Sequence, residues 1–136
     1  MANEDFRLSM EEATLRIIQK TLVNMDRACL VVVQEAQELC PVDNGPLKAA
    51  IFHKVRLENG RVTGVVGDSM EYAPFVHQGT GIYAVDGNGR QTPWGYYVES
   101  GRYAGFHWTH GQRPNPFLAK AITNCKDEVR ALIAGV

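Results

Sequence analysis

Two prolines near the end of the chain, Pro114 and Pro116, constrain the fold more than any other feature. Each proline fixes φ and removes a backbone donor, so a helix cannot run through this point. Each also disfavours the helical conformation in the residue before it. The second proline suits the first turn of a helix, which we expect to begin here with Asn115 as its N-cap. Apolar residues then recur every three or four positions, which predicts a C-terminal helix over residues 116–134.

A longer apolar seam in the first third of the chain predicts an amphipathic helix over residues 9–39. Ser9 and Glu12 form a capping-box pattern at its start, and Pro41 ends it. The seam consists of Leu15, Ile18, Leu22, Met25, Cys29, Val32, Ala36 and Leu39. A helix of about 30 residues is roughly 45 Å long, which is long for a domain of 136 residues. Either this helix lies across its own sheet, or part of the seam contacts another subunit.

A short helix and a hairpin are predicted between the two long helices. Asp43 or Asn44 can cap a short helix over residues 46–51. Alternating apolar and polar residues then flank Asn59 and Gly60. An Asn-Gly pair accepts the positive φ angles of a two-residue turn, so the flanking segments are predicted to form a tight β-hairpin.

The remaining patterns predict one α+β domain. Residues 72–77 look like a third strand, placed at a sheet edge because Pro74 cannot donate to a ladder. The order of elements indicates a small, mostly antiparallel sheet over residues 52–110, packed against the long N-terminal helix and the C-terminal helix. The whole chain, residues 1–136, is expected to form this single domain.

Residues 79–111 are rich in glycine and aromatic residues. They hold eight of the 13 glycines, and two further strands are predicted at about 92–98 and 103–110. Their aromatic residues are Tyr83, Trp94, Tyr96, Tyr97, Tyr103, Phe106 and Trp108. Large, rigid side chains of this kind are common at protein interfaces. We therefore expect this region to be partly disordered or differently placed in a lone subunit and to become ordered on assembly.

Composition disfavours several classes of function. The formal net charge is −1, whereas dedicated nucleic-acid binders usually carry a basic patch. The aromatic residues are not interleaved with Lys and Arg, as a groove for single-stranded nucleic acid would require. No apolar run approaches the roughly 20 residues of a membrane span. The spacing of Cys29, Cys40 and Cys125 matches no zinc or redox motif, which favours three reduced thiols in a cytoplasmic protein.

No catalytic, cofactor-binding or metal-binding set is predicted. His107 and His110 are three apart in a predicted strand, so their side chains face opposite sides. Cys40 has no matched histidine in a recognisable frame. Asp43 could pair with Lys48 or Arg113, or serve as a helix cap. A small hydrolase that uses Cys40 or a histidine pair is kept as an alternative from a different functional class.

Three segments resemble the motifs of one known family. Residues 40–51 read CPVDNGPLKAAI and resemble its Pro-Val-Asp-Thr-Gly-x-Leu-(Arg/Lys)-x-Ser-Ile segment. Residues 71–80 read EYAPFVHQGT and resemble its Tyr-Ala-x-x-(Val/Tyr)-Glu-x-Gly-Thr strand. Residues 111–118 read GQRPNPFL and resemble its Gly-x-x-Pro-x-Pro-Phe-(Leu/Met) helix entry. The family is the tail-completion or head–tail joining proteins of long-tailed bacteriophages and related prophages, often labelled minor tail component.

The resemblance implies a structural role, with no enzymatic activity and no cofactor. Such proteins form a homo-oligomeric ring, typically a hexamer, at the neck of the virion, and the subunit can remain monomeric until it assembles in the bacterial host cytoplasm. The ring contacts the connector or adaptor on one face and the tail tube or terminator on the other, and DNA passes through it without sequence-specific binding. A head-completion adaptor is the nearest alternative. The candidate interface residues are Leu15, Leu22, Met25, Tyr83, Trp94, Tyr96, Tyr97, Tyr103, Trp108 and Arg113.

Overall fold

The computed structural model describes residues 2–41, 45–87 and 89–135, and it has the α+β architecture expected from the sequence. The helices are α1 (Ala2–Leu39), α2 (Gly45–Ala49), α3 (Ala73–Gln78), α4 (Phe117–Asn124) and α5 (Lys126–Ala134), with a 3-10 turn at Gly81–Tyr83. The strands are β1 (Ile51–Glu58), β2 (Arg61–Asp68), β3 (Trp94–Val98) and β4 (Gly105–Thr109).

Helix α1 begins seven residues earlier than predicted and contains 38 residues. At about 1.5 Å per residue it is roughly 57 Å long. The capping-box start at Ser9 is therefore wrong. No glycine or proline precedes Ser9 to stop the helix, and Glu4 and Asp5 lie in the first turn, where carboxylates stabilise the positive end of the helix dipole.

The β1–β2 hairpin has the predicted turn. The strands pair antiparallel from Ile51 opposite Asp68 to Glu58 opposite Arg61. Asn59 and Gly60 have φ angles of 52° and 72°, as a two-residue turn of this handedness requires. The short helix α2 precedes the hairpin and ends at Ala49, two residues before the predicted boundary. The proposed caps Asp43 and Asn44 lie outside the described residues.

The third predicted strand is wrong, because Ala73–Gln78 forms helix α3. Pro74 lies in the first turn, where the missing N–H would have no partner within the helix. The backbone N–H groups of Phe75 and Val76 both donate to the carbonyl of Tyr72, at 3.0 and 3.2 Å. Ala73 and Val76, three residues apart, are buried on the same side of the helix.

The single predicted sheet is also corrected. In the described residues β1 pairs only with β2 and β3 only with β4, so the structure contains two separate two-stranded sheets. The first sheet packs against α1. Helices α4 and α5 also pack against α1. We call the second sheet and its connecting turn the aromatic hairpin (residues 94–109). No strand of the described residues pairs with both sheets.

The C-terminal helix is divided, whereas one helix over residues 116–134 was predicted. Cys125 (φ −97°, ψ 6°) separates α4 from α5, although the Val129 N–H still donates to the Cys125 carbonyl at 2.8 Å. Asn115 does not cap α4. Its backbone N–H donates to the Val76 carbonyl at 2.9 Å, and its side-chain amide donates to the Leu39 carbonyl at 3.4 Å. Asn115 thus ties the end of α1 to α3.

The core lies at the C-terminal half of α1, between the first hairpin and α4. Its two largest fully buried side chains are Leu47 and Phe117. The other members are small or β-branched: Val32, Val33, Ala36, Cys40, Ile51, Ala73, Val76, Ala121 and Cys125. One end of α1 therefore contributes to the core, and the other end lies outside it.

Replacing Asp68 with asparagine is expected to stabilise the protein near neutral pH. Asp68 Oδ1 accepts a hydrogen bond from the Met70 N–H at 2.9 Å, whereas Oδ2 is buried without a partner in the described structure. Burial raises the pKa of this carboxyl group, and the Met70 hydrogen bond opposes part of that effect. A raised folded-state pKa means that stability falls as pH rises from the ordinary aspartate value through the raised one.

Thermal unfolding between about pH 4 and pH 7 measures this effect. The D68N variant keeps the Met70 acceptor and should gain stability over the wild type as pH rises. The exposed Asp86 provides a matched control, because D86N makes the same substitution at a side chain that is not buried and should not reproduce the gain in stability. An equal effect of D68N at all pH values would contradict the assigned cause.

Candidate interaction surfaces

The N-terminal part of α1 extends beyond the rest of the molecule. Residues 3–17 are all exposed, whereas Gly135, which directly follows α5, lies beside Lys20 and Asn24 of α1. Residues 2–19, which we call the protruding half of α1, are therefore about 27 Å long. This half exposes five large apolar side chains, namely Phe6, Leu8, Met10, Leu15 and Ile17.

The three predicted contact residues on α1 differ in accessibility. Leu15 is 59% exposed, within the protruding half. Leu22 and Met25 lie farther along and are half-buried. The side chain of Met25 lies over Gly64 of β2, where a Cβ atom would be only 2.8 Å from the Met25 sulfur. Leu15 is thus open to a partner, whereas the body of the protein partly covers the other two.

One face of the aromatic hairpin is open to solvent. Strand alternation places Tyr97, Phe106 and Trp108 on the same face, where they are 67%, 60% and 71% exposed. Phe106 and Trp108 meet edge to face, with ring centroids 5.5 Å apart. The Phe106 ring also covers Gly95, where a Cβ atom would lie 2.9 Å from Cε1. Gly95 therefore lets this ring lie flat on the strand.

The opposite face of the hairpin carries Trp94, Tyr96 and His107. Tyr96 and His107 are stacked with centroids 5.4 Å apart. His107 Nε2 lies 2.6 Å from the Tyr103 carbonyl oxygen, so Nε2–H donates there. The Arg90 guanidinium lies 5.9 Å from the centre of the Trp94 ring. These contacts fix the side chains on this face and leave them less exposed than Trp108.

Two short segments, residues 79–83 and 110–113, attach the aromatic hairpin to the body of the protein, and we call them the stalk. The Thr80 N–H donates to the Gln112 carbonyl at 2.9 Å, and the Ile82 N–H donates to the His110 carbonyl at 3.1 Å. Gly81 has a φ of 62° and packs directly against His110, which leaves no room for a side chain. The interface candidates Tyr83 and Arg113 meet in this stalk, because the guanidinium lies 5.3 Å from the ring centre.

Sequence reasoning identified only part of these surfaces. Phe106 was not among the predicted interface residues, although it is as exposed as its neighbours on the hairpin. Phe6 was also missed, because the helix was expected to begin at Ser9. Met10 and Ile17 lie within the predicted helix but outside its apolar seam, and they were missed for that reason. Steps of four and seven place these three residues on one face of the helix, and this second apolar face was the signal that could have revealed them.

The three thiols have properties unlike those of reactive cysteines. Cys29, Cys40 and Cys125 are free and buried, and burial is the main cause that raises the pKa of each. At Cys40 the charge of Asp68 raises the pKa further, and Lys48 opposes it. A nucleophilic thiol needs access and a lowered pKa, so these properties disfavour Cys40 in that role.

The titratable groups do not form a metal cluster in the described residues. No set of three His, Cys, Asp or Glu side chains is placed to hold an ion there. His53 Nε2 is 2.8 Å from Asp26 Oδ1, which pairs β1 with α1 on the surface. The pairing of Asp43 with Lys48 or Arg113 involves a residue outside the described part. None of the helices in that part combines the length and hydropathy needed to cross a membrane.

Comparison with protein-family models, curated proteins and solved structures finds no match for this chain. The features of this chain that bear on its function are therefore two exposed surfaces and the three motif segments. The surfaces are the protruding half of α1 and the aromatic hairpin.

Proposed function

We propose that this protein is a structural component of the neck of a long-tailed phage or a prophage-derived particle. In this proposal it assembles into a homo-oligomeric ring, typically six-fold, that completes or joins the tail and allows DNA to pass. The observation that carries the proposal is the protruding half of α1, whose large apolar side chains are exposed to solvent. Leu8 and Leu15 share one face of this helix, and Phe6, Met10 and Ile17 share the opposite face. Exposed apolar side chains grouped in this way mark an interaction site.

The aromatic hairpin supports the proposal independently. A lone two-stranded hairpin is marginally stable in water, yet this one presents Tyr97, Phe106 and Trp108 to solvent. Such side chains provide large contact area at a low cost in conformational entropy. We assign this face to the adjoining layer of the neck, either the connector or adaptor, or the tail tube or terminator.

The charge of the chain supports passage of DNA without tight binding. Phosphate binding requires Lys and Arg side chains aimed at the backbone, and the formal net charge of −1 provides no excess of them. A ring built from this chain is therefore proposed to have a neutral or weakly negative lumen. An assembled ring with inward-facing arginines would contradict this part of the proposal.

The mass of the protein in solution tests self-assembly. Light scattering after size exclusion, across a concentration series, should give a discrete ring-sized species, whose copy number and symmetry distinguish a tail-completion ring from a head-completion adaptor. If only monomer is found, the protein should bind to purified particles, which then act as the template for assembly. Absence of the protein from particles, combined with a monomer that does not bind them, would refute the proposal.

Hydrogen exchange tests whether assembly orders the hairpin. Amides in residues 79–111 should become more protected in the ring or on the particle than in the isolated subunit. Equal protection in the two states would contradict a role for this region in assembly.

A further inference from the structure

An apolar cleft of about 450 Å³ opens on the side of the molecule where α1, β2, α4 and α5 meet. Cys29 and Val32 of α1 form its floor, and Val66 of β2 forms one wall. Ile122 and Ile133 line the other wall and remain 54% and 39% exposed. The cleft is therefore an unfilled gap between a helix floor and two apolar walls.

The cleft has a positively charged edge. Lys126 and Arg130 line it from α5, and their spacing of four places them on the same side of that helix. Both are exposed. An occupant that combines apolar side chains with carboxylates would match this arrangement.

The protruding half of α1 has this combination of side chains. Glu4, Leu8, Glu11 and Leu15 follow one another at steps of four, three and four, which places them on one helix face. Leu8 and Leu15 are 46% and 59% exposed. This face thus alternates apolar and acidic side chains, and its carboxylates are complementary in charge to Lys126 and Arg130.

The helix cannot fill the cleft of its own chain. Ala28, Cys29 and Val32 of α1 are part of the floor of that cleft, and residues 2–39 contain no glycine or proline at which the helix could fold back. The protruding half points away from its own body, so the occupant must come from another molecule.

We propose that the cleft receives the protruding half of α1 from a second copy of the chain, with Leu8 and Leu15 in the apolar gap and Glu4 and Glu11 against Lys126 and Arg130. This inference rests on the proposed self-assembly and specifies its contact. Because helix and cleft are different surfaces, the contact is head-to-tail. Contacts of this type close into rings when the rotation between subunits allows it.

Charge reversal on each side of the contact tests the proposal. The variants E4K/E11K and K126E/R130E should each raise the dissociation constant for assembly more than about tenfold, because like charges then meet. The chain that carries all four substitutions should recover most of the lost affinity, since the pairs are restored with opposite sign. Matched controls are E58K/E71K and K54E/R56E, which change the net charge equally at exposed positions outside the cleft and should leave assembly unchanged.

A photo-crosslinker at position 8 locates the contact directly. It should link two copies through a peptide from β2 or α5, whereas the same probe at Arg16, on another side of the helix, should not. This contact would be overturned if neither charge reversal changed the dissociation constant of the ring. It would also be overturned if the variant with all four substitutions assembled no more tightly than either double variant. Both results would leave the proposed neck function intact. A wild-type chain that stays monomeric and yields no such crosslink on particles would also overturn this contact.

Discussion

Replacing Phe117 with alanine is expected to lower the free energy of unfolding by about 3–5 kcal/mol. Phe117 is completely buried at the first residue of α4, in the same core cluster as Val32 and Ala36 of α1 and Leu47 of α2. Truncation leaves a cavity at the point where these helices meet. Domains of this size are stable by about 5–15 kcal/mol, so the loss would be a large fraction of the total.

Urea unfolding followed by circular dichroism measures this loss, and Phe75 provides the matched control. The same truncation at Phe75, which is 61% exposed on α3, should cost less than about 1 kcal/mol. Similar losses for F117A and F75A would contradict the position of Phe117 at the centre of the core.

The features predicted well from sequence are those that local rules determine. Pro41 ends α1 and the Asn59–Gly60 turn forms a hairpin because each depends on the backbone preferences of one or two residues. The two prolines at 114 and 116 placed the start of the last helix within one residue of Phe117. The long apolar seam likewise identified α1 because helical spacing repeats over many turns.

The features predicted wrongly depended on choices that local patterns leave open. Pro74 is incompatible with a central strand, but it is equally suited to an edge strand or to the first turn of a helix. The burial of Ala73 and Val76 against the core decides for the helix. Asn115 is a good N-cap by type, yet its side chain instead bonds to the Leu39 carbonyl, 76 residues away in sequence. No local rule predicts such a contact.

The candidate surfaces were only partly predictable, because local patterns do not determine strand register or tertiary contacts. Aromatic content identified residues 79–111, but the strand register decides which rings are exposed. It places Tyr97 with Phe106 and Trp108 on the open face and Tyr96 with His107 on the other. The cleft was not predictable, because its floor and two walls come from segments about 30 to 90 residues apart.

Deleting residues 2–19 is expected to abolish self-association and to leave the body of the protein folded. The protruding half contributes no residue to the core, and residues 3–17 are exposed throughout. Its loss should therefore leave the melting temperature of the body nearly unchanged. Light scattering should show a monomer at concentrations at which the full chain assembles.

A point-mutant version separates the loss of apolar contact from the loss of length. The double variant L8Q/L15Q keeps a good helix former at each position and removes two large apolar side chains from the face of the protruding half that is proposed to enter the cleft. Burial of one such side chain contributes about 1.5–3 kcal/mol. Because both side chains enter the proposed interface, the dissociation constant should rise by more than about 100-fold. The variant R7Q/R16Q changes the same helix without removing apolar surface and should retain assembly. Wild-type assembly by the double variant would show that the face carrying Leu8 and Leu15 contacts no other subunit, and would leave self-association to another face of the helix or to the aromatic hairpin.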